Sequence, residues 1–499
     1  MALLGLDIGT SRCKATIVEL DGTILGEAAE EYALITDGRG RYEIDPDAIW
    51  QAIRRTIRQA ASAFGAEAPV EAISVSSFGE TLVAVDERGE AIGPSMIYMD
   101  ARGQEQANRL ANDLGQSRIF EITGTTAHAM YSLSKLLWVK EHRPDFYAKV
   151  WKWMAIADFV LYRLGAEPHI DYSLAARTMA FDVVEKKWSD VMLGYADIPA
   201  DRFGTPVQSG TVVGRLKPSL AVSLGLPAGI PLVAGGHDQA CAALGTGVIR
   251  PGVAVDGMGT TECITPVFEE PIRTPEMAEG GYACVPHVVP DKYVTYAFTF
   301  ASGSLLRWYR EQFGSHLEER AKRLGKSVYE LIIGQASPDP SPLLLLPHFA
   351  GAATPYMNPD ARGLIAGLTL SATQGDLIRA LLEGLNFEMM VNASFLARQG
   401  IEFRELRAVG GLAKSDFYLQ LKADMMGVDI VTLQTSEGGT LGVAALAGHA
   451  AGCYASIEEA VDRLVRPNKR FVPDADRHAW YRGRFEQYLK LYDAAQSIG

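Results

Sequence analysis

Cysteine is scarce in this chain, and its five copies stand apart. Cys13, Cys241, Cys263, Cys284 and Cys453 form no CxxC and no Cys/His spacing suited to a metal. An odd, low count argues against a disulfide framework and fits reduced thiols, so a cytoplasmic location is expected. Basic residues are also in deficit, 47 against 60 acidic ones, leaving a net charge of −13. A field of that sign repels phosphate backbones and anionic lipid, which argues against nucleic acid and membrane as partners. An anionic small substrate would need a local positive site. No basic stretch accompanies the opening Met1-Ala2-Leu3-Leu4, and Asp7 follows at once, so no signal peptide is expected. The uncharged stretch Gly438 to Ile457 lacks a continuous face of large apolar residues and reads as a small-residue core helix, not a membrane span. What remains is ordinary: 48% apolar and 21% charged over 499 residues, a globular protein too long for one core and suited to two or three domains.

Strand and helix patterns alternate, which predicts an α/β protein. Leu3–Leu6 and Ala15–Leu20 read as strands around a Gly/Thr/Ser turn, and Asp21-Gly22 as a second hairpin turn. Asp45-Pro46-Asp47 predicts the start of a helix reaching about Phe64, with Ile49, Ile53 and Ile57 along one face. Further helices are expected over Gln104–Leu114, Ser134–Lys140, Pro218–Leu224, Ser304–Gln312, Gln374–Ala397, Lys414–Met426, Ser436–Ile457 and Asp476–Ile498. Pro231–Ala234 reads as a buried strand. One repeat stands out. Ile8-Gly9-Thr10-Ser11-Arg12-Cys13 returns as Met258-Gly259-Thr260-Thr261-Glu262-Cys263, 250 positions on and half a chain away. Two lobes with related hairpins facing each other are therefore expected, divided near Gly245-Thr246-Gly247 and joined by a hinge.

Three segments carry side chains suited to chemistry. A turn of Gly9, Thr10 and Ser11 offers amides and hydroxyls to phosphate oxygens, and Asp7 at its start can hold a hydrated Mg²⁺. In the second copy Gly257 replaces that Asp, so the pair supplies two hydroxyl-lined turns and one carboxylate, as one metal on one polyphosphate requires. Gly235-Gly236-His237-Asp238-Gln239 follows an apolar strand, at the strand end where open α/β sheets place their sites. Asp238 reads either as a helix N-cap or as a base that accepts a hydroxyl proton. Gly410-Gly411 through Lys414-Ser415-Asp416 leads from a strand into a helix, as a tight turn or a seat for a ring or phosphate. His128, His169, His237, His287, His348 and His449 show no metal spacing and are expected in core or surface roles.

Taken in order, these segments resemble the FGGY carbohydrate kinases of the actin/hexokinase-like ATPase superfamily. Met130-Tyr131-Ser132-Leu133-Ser134-Lys135-Leu136-Leu137-Trp138 onward to His142 fits one family signature; Gly363-Leu364-Ile365-Ala366-Gly367-Leu368, with Asp376-Leu377 and Glu383, is similar to another, Leu381 being a departure. The resemblance spans the chain. It implies two actin/ribonuclease H-like lobes, residues 1–246 and 247–499, with a nucleotide cleft between them. It implies ATP and Mg²⁺ as cofactors and a small sugar or polyol as acceptor, and it is compatible with a homodimer. By position, Asp238 would be the catalytic base and Asp7 a Mg²⁺ holder. Thr10, Ser11, Gly259 and Thr260 would meet the phosphates, and Gly303, Gly410, Gly411, Ser415 and Asp416 the adenosine. Glu80, Asp100, Arg102, Asp238 and Gln239 would meet the sugar.

The acceptor segment departs from named members. Ser76-Ser77-Phe78-Gly79-Glu80-Thr81 aligns where glycerol kinases read Arg-Glu and xylulose and gluconate kinases read Met-His. Gly79 is expected to leave room, and Glu80 to accept two hydroxyl hydrogens and to repel a sugar acid. The expected reaction is ATP-dependent phosphorylation of a primary hydroxyl on a ketose such as xylulose or another pentulose or hexulose. A glycerol- or erythritol-type polyol kinase stays open, as does a non-kinase actin-like ATPase or ligand sensor.

Overall fold

The computed structural model describes residues 1–63, 70–435 and 437–498, so the expected helix ends Phe64 and Ser436 lie outside the described residues. The N-terminal lobe is built on β1 (Ala2–Ile8), β2 (Arg12–Glu19), β3 (Ile24–Glu31), β4 (Val70–Ser77), β5 (Val212–Arg215) and β6 (Pro231–His237), in the order β5-β6-β4-β1-β2-β3. β6, β4 and β1 run parallel, while β1, β2 and β3 form antiparallel hairpins. Leu3, Leu4, Leu6 and Ile8 are all buried because β1 is covered on both faces, as parallel strands are. Helix α1 (Pro46–Ser62) packs over β2 and β3; its Asp45 cap accepts from the Asp47 amide, and Ile49, Ile53 and Ile57 point into the core. Helix α2 (Asp238–Gly245) leaves directly from the end of β6.

The second half repeats the plan. β7 (Gly252–Met258), β8 (Glu262–Phe268), β9 (Ala297–Thr299), α3 (Gly303–Phe313), α4 (Gln374–Arg398), β10 (Phe403–Gly410), α5 (Asp416–Met426), β11 (Asp429–Leu433), α6 (Gly438–Ala450) and β12 (Pro467–Phe471) follow. β7 and β8 form a hairpin, β7, β10 and β11 run parallel, and β12 closes the edge antiparallel. Hairpin, parallel core and antiparallel edge thus occur twice, with β5 and β12 in matching places despite different chain positions.

The halves interlock. Helix α6 lies against β1, β4 and α2 of the first half, and glycines on both sides of the contact are what allow it. A Cβ on Gly5 would stand 2.3 Å from the Thr440 carbonyl oxygen, and one on Gly442 would stand 1.9 Å from that of Cys241. The small-residue composition of this stretch therefore serves backbone-to-backbone packing. A second helix, Ile457–Leu464, is separate from α6, and the closing segment is also broken in two, Ala475–Tyr488 and Leu491–Ile498, where single helices were expected. Val285, Val294 and Tyr296 join the N-terminal core, and the Cys284 amide donates to the Gly124 carbonyl at 2.8 Å. Among the described residues no helix is long and apolar enough to cross a membrane.

Candidate active site between the lobes

The duplicated turns are alike in sequence and differ in register. Ile8 pairs with Cys13, whereas Met258 pairs with Glu262, so the second turn is one residue tighter. Its carbonyls receive the first amides of α3: Gly303 N–H donates to Gly259 O at 3.0 Å and Ser304 N–H to Thr260 O at 3.1 Å. Gly303 is glycine because a Cβ would meet Gly259 O at 2.6 Å. Gly410, at φ 102°, turns the chain so that Gly411 N–H reaches Met258 O at 2.9 Å. Gly259, Thr260, Gly303, Gly411, Ser415 and Asp416 come together on one cavity of about 970 Å³, with Arg307, Arg320 and Lys414 among the cations around it. Ser415 caps α5 through the Tyr418 amide, and the exposed Asp416 carboxylate binds Lys469 at 2.7 Å. Thr10 and Ser11 are not part of that lining; Thr10 lies beside Tyr98, next to the acidic group described below.

Asp238 is the first residue of α2 and His237 the N-cap, so the cap reading of Asp238 does not hold. Its side chain is 30% exposed. Crowding on every other side, then the nearby Asp7 and Glu80 carboxylates, pushes its carboxyl up to about 8, against the Gln239 amide at 2.7 Å and the Arg177 cation. Gln239 itself is exposed, and its backbone makes that contact. Asp7 accepts from Ser76 Oγ at 2.6 Å, and burial raises its carboxyl above the ordinary range. Helix α6 begins against it: a Cβ on Gly439 would stand 2.7 Å from Asp7 Oδ2.

Glu80 sits at φ 60°, a strained value for a side chain of its size. Arg177 holds it, with Nε at 2.5 Å from Oε1 and Nη2 on the same oxygen. The guanidinium lies 5.2 Å from the Tyr131 ring and 5.6 Å from that of Tyr296. This corrects the expected room at Gly79. A Cβ there would meet Arg177 Cγ at 2.9 Å and His237 Cδ2 at 3.0 Å, so Gly79 is small because those side chains fill the space. The same cation offsets the Glu80 charge, which removes the expected repulsion of a sugar acid. His237, expected in a core role, has Nδ1 3.1 Å from the Tyr296 hydroxyl and Nε2 3.2 Å from Asp238 Oδ1; burial holds its pKa low, so it is neutral.

Asp100 and Arg102 are brought to each other. The Asp100 carboxylate accepts from the Tyr42 and Arg102 amides and from the Arg102 guanidinium, which also binds Glu43 at 2.6 Å. Sequence reasoning missed Arg177, His237, Tyr296 and Tyr98. Tyr98 lies two residues before a flagged Asp and was findable by proximity; Arg177 and Tyr296 reach the site from remote segments with no local pattern.

No group of three or more His, Cys, Asp or Glu positioned to hold a metal exists among the described residues. A Mg²⁺ carried by ATP asks less of the protein: one or two carboxylates, the rest being water and phosphate. Asp7 and Asp238, each raised by burial and the latter also by the former, are a pair that a cation would relieve, so the residues fit.

Two family models cover the chain: the N-terminal domain of the FGGY family of carbohydrate kinases over residues 2–245, and its C-terminal domain over residues 257–451. A xylulose kinase of Bacillus subtilis is 28% identical, with 99% of this chain and 97% of that protein aligned. A gluconokinase of the same organism is 29% identical over 98% and 95%. A ligand-bound xylulose kinase from Lactobacillus acidophilus superposes with a TM-score of 0.90 over all of both chains at 24% identity, which speaks to the fold. With both halves matched, the chain belongs to the FGGY family of carbohydrate kinases and is a phosphotransferase that uses ATP on a small sugar.

Proposed function

We propose that this kinase phosphorylates a primary hydroxyl of a short ketose, with xylulose the first acceptor to test. The observation that carries the reading is Asp238, a part-exposed carboxyl just past the end of β6 that its surroundings raise to about 8. A base poised near the working pH is most effective, worth roughly 10²–10⁴-fold in rate. As the acceptor oxygen bonds to the γ-phosphorus, its proton passes to Asp238, and the bond to the bridging oxygen breaks to leave ADP. Asp7 would hold the Mg²⁺, which supplies charge neutralisation for the phosphates. Thr10, Ser11 and Thr260 are suited to phosphate oxygens, and lobe closure would exclude competing water. Arg177 with Glu80 gives the acceptor end a neutral, hydrogen-bonding wall suited to a polyhydroxylated chain. The five free thiols fit a reducing, cytoplasmic setting.

A second reading follows from the same pair. Because Arg177 offsets Glu80, an aldonic acid is not repelled, and the likeness to a gluconokinase supports it. The test is ADP release with xylulose, other ketoses, glycerol and gluconate, using wild type and D238N. Turnover on one ketose, lost in D238N while ATP still binds, is the expected result. Preference for gluconate selects the second reading, and undiminished turnover in D238N overturns the base.

A further inference from the structure

Beneath the tighter turn lies a charged cluster that the chemistry above does not use. Lys422, on α5, is fully buried, and its ammonium donates to Asp256 Oδ2 on β7 and to Glu262 Oε1 at the start of β8. Ser302 Oγ donates to the other Glu262 oxygen at 3.0 Å. All four side chains are shut from solvent. Glu262 occupies the repeat position of Arg12, which is exposed in the first turn, so the first hairpin has no such foundation.

Three segments that line the nucleotide cavity meet this cluster; a fourth, from Arg320 to Gln335, does not. Met258, Gly259 and Thr260 lie between Asp256 and Glu262; Gly303 and Ser304 follow Ser302; Leu412 to Phe417 lead into the helix that carries Lys422. The geometry points to Lys422 as a positioning residue for ATP: one ammonium, through Asp256, Glu262 and Ser302, sets three of the lining segments against one another without touching the nucleotide. The inference rests on the kinase reading of the cavity. Without the cation, two carboxylates stand uncompensated behind a turn that must receive a triphosphate, and each repels the other and the ligand. Burial and Glu262 already press the Asp256 carboxyl upward even with Lys422 in place.

The test is calorimetric titration of the full-length protein with Mg²⁺ and a non-hydrolysable ATP analogue, alongside the KM for the best acceptor at saturating ATP. K422M is expected to weaken analogue binding roughly 10–100-fold, the scale for loss of a partner behind a binding residue. S302A, a smaller change suited to the case in which K422M does not fold, is expected to weaken it about threefold. Acceptor KM should move less than twofold in S302A, a split that general loosening of the protein would not produce. Analogue affinity unchanged in S302A, or equal losses for analogue and acceptor, overturns the inference. Failure of the wild type itself to bind the analogue overturns the kinase reading instead, so the two failures are distinguishable.

Discussion

Removing Arg177 or Glu80 separately should have one shared effect and one opposed effect. The side chains are 7% and 5% exposed, so neither charge can turn to water when its partner is lost. Breaking a buried pair from one side costs about 3–5 kcal/mol, and R177L and E80Q should both melt well below wild type. Catalysis should diverge. Arg177 draws the Asp238 carboxyl down while Glu80 pushes it up. A charged neighbour shifts a carboxyl by about 1–3 units, and Arg177 weighs least among the influences on Asp238, so about one unit upward is expected in R177L. In E80Q the shift is downward. The assay is kcat/KM for the acceptor from about pH 5.5 to about 9.5 at saturating Mg·ATP. The acidic limb should move up in R177L and down in E80Q. Limbs that move together, or that stay in place while both proteins melt early, would refute the electrostatic account of the base. The double variant R177L/E80L should recover most of the lost stability, since apolar pairs often match buried ionic ones, without recovering activity.

Other perturbations probe neighbouring features. G79A drives a Cβ to within 3.0 Å of Arg177 and His237, so acceptor KM should rise roughly tenfold with ATP KM unchanged; an unaltered acceptor KM means that those side chains do not shape the sugar site. Burial pushes the Asp238 carboxyl up to about 8, above the ordinary 3.8. The stability that its protonated form contributes is therefore fully present below about pH 4 and lost as pH rises through about 8. Ligand-free protein should melt lower at about pH 8.5 than at about pH 6.5, with a smaller drop in D238N; an equal drop in D238N removes Asp238 as a source.

Local patterns were legible where the chain itself closes the structure. The Asp45-Pro46 start, the Ile49/Ile53/Ile57 face and the two Gly-Thr turns rest on contacts within a few residues or on one repeated hexad. One local signal went unread. Helix α6 stops at Ala450, where Gly452 at φ 75° lets the Cys453 amide close on Gly448 O, and another begins at Ile457 behind the Ser456 cap; the uncharged run hid both. The Gly79-Glu80 segment misled for a different reason. Its own residues suggest space and a bare carboxylate, whereas Arg177, 97 positions away, fills the one and pairs with the other. Burial of a cation beside a carboxylate is a tertiary fact with no period to betray it.

The repeat carries the deeper lesson about reading duplicated turns. Sequence likeness locates both hairpins but leaves their electrostatic duties undetermined, because those depend on what lies beneath each. Under the first, Asp7 is bonded to a Ser76 hydroxyl and stands near Asp238, with Arg12 and Lys14 close enough to draw its carboxyl down but neither ion-paired to it among the described residues. Under the second, Gly257 removes the carboxylate from the cleft side, and Glu262 turns inward to Lys422. One turn thus presents negative charge suited to a cation, and the other presents amides and a hydroxyl over a cluster that its lysine holds near neutrality. On the proposed reading, a polyphosphate lying between these unlike turns would turn its metal-bearing part toward Asp7 and Asp238, which places the γ-phosphate where the proposed base can serve it.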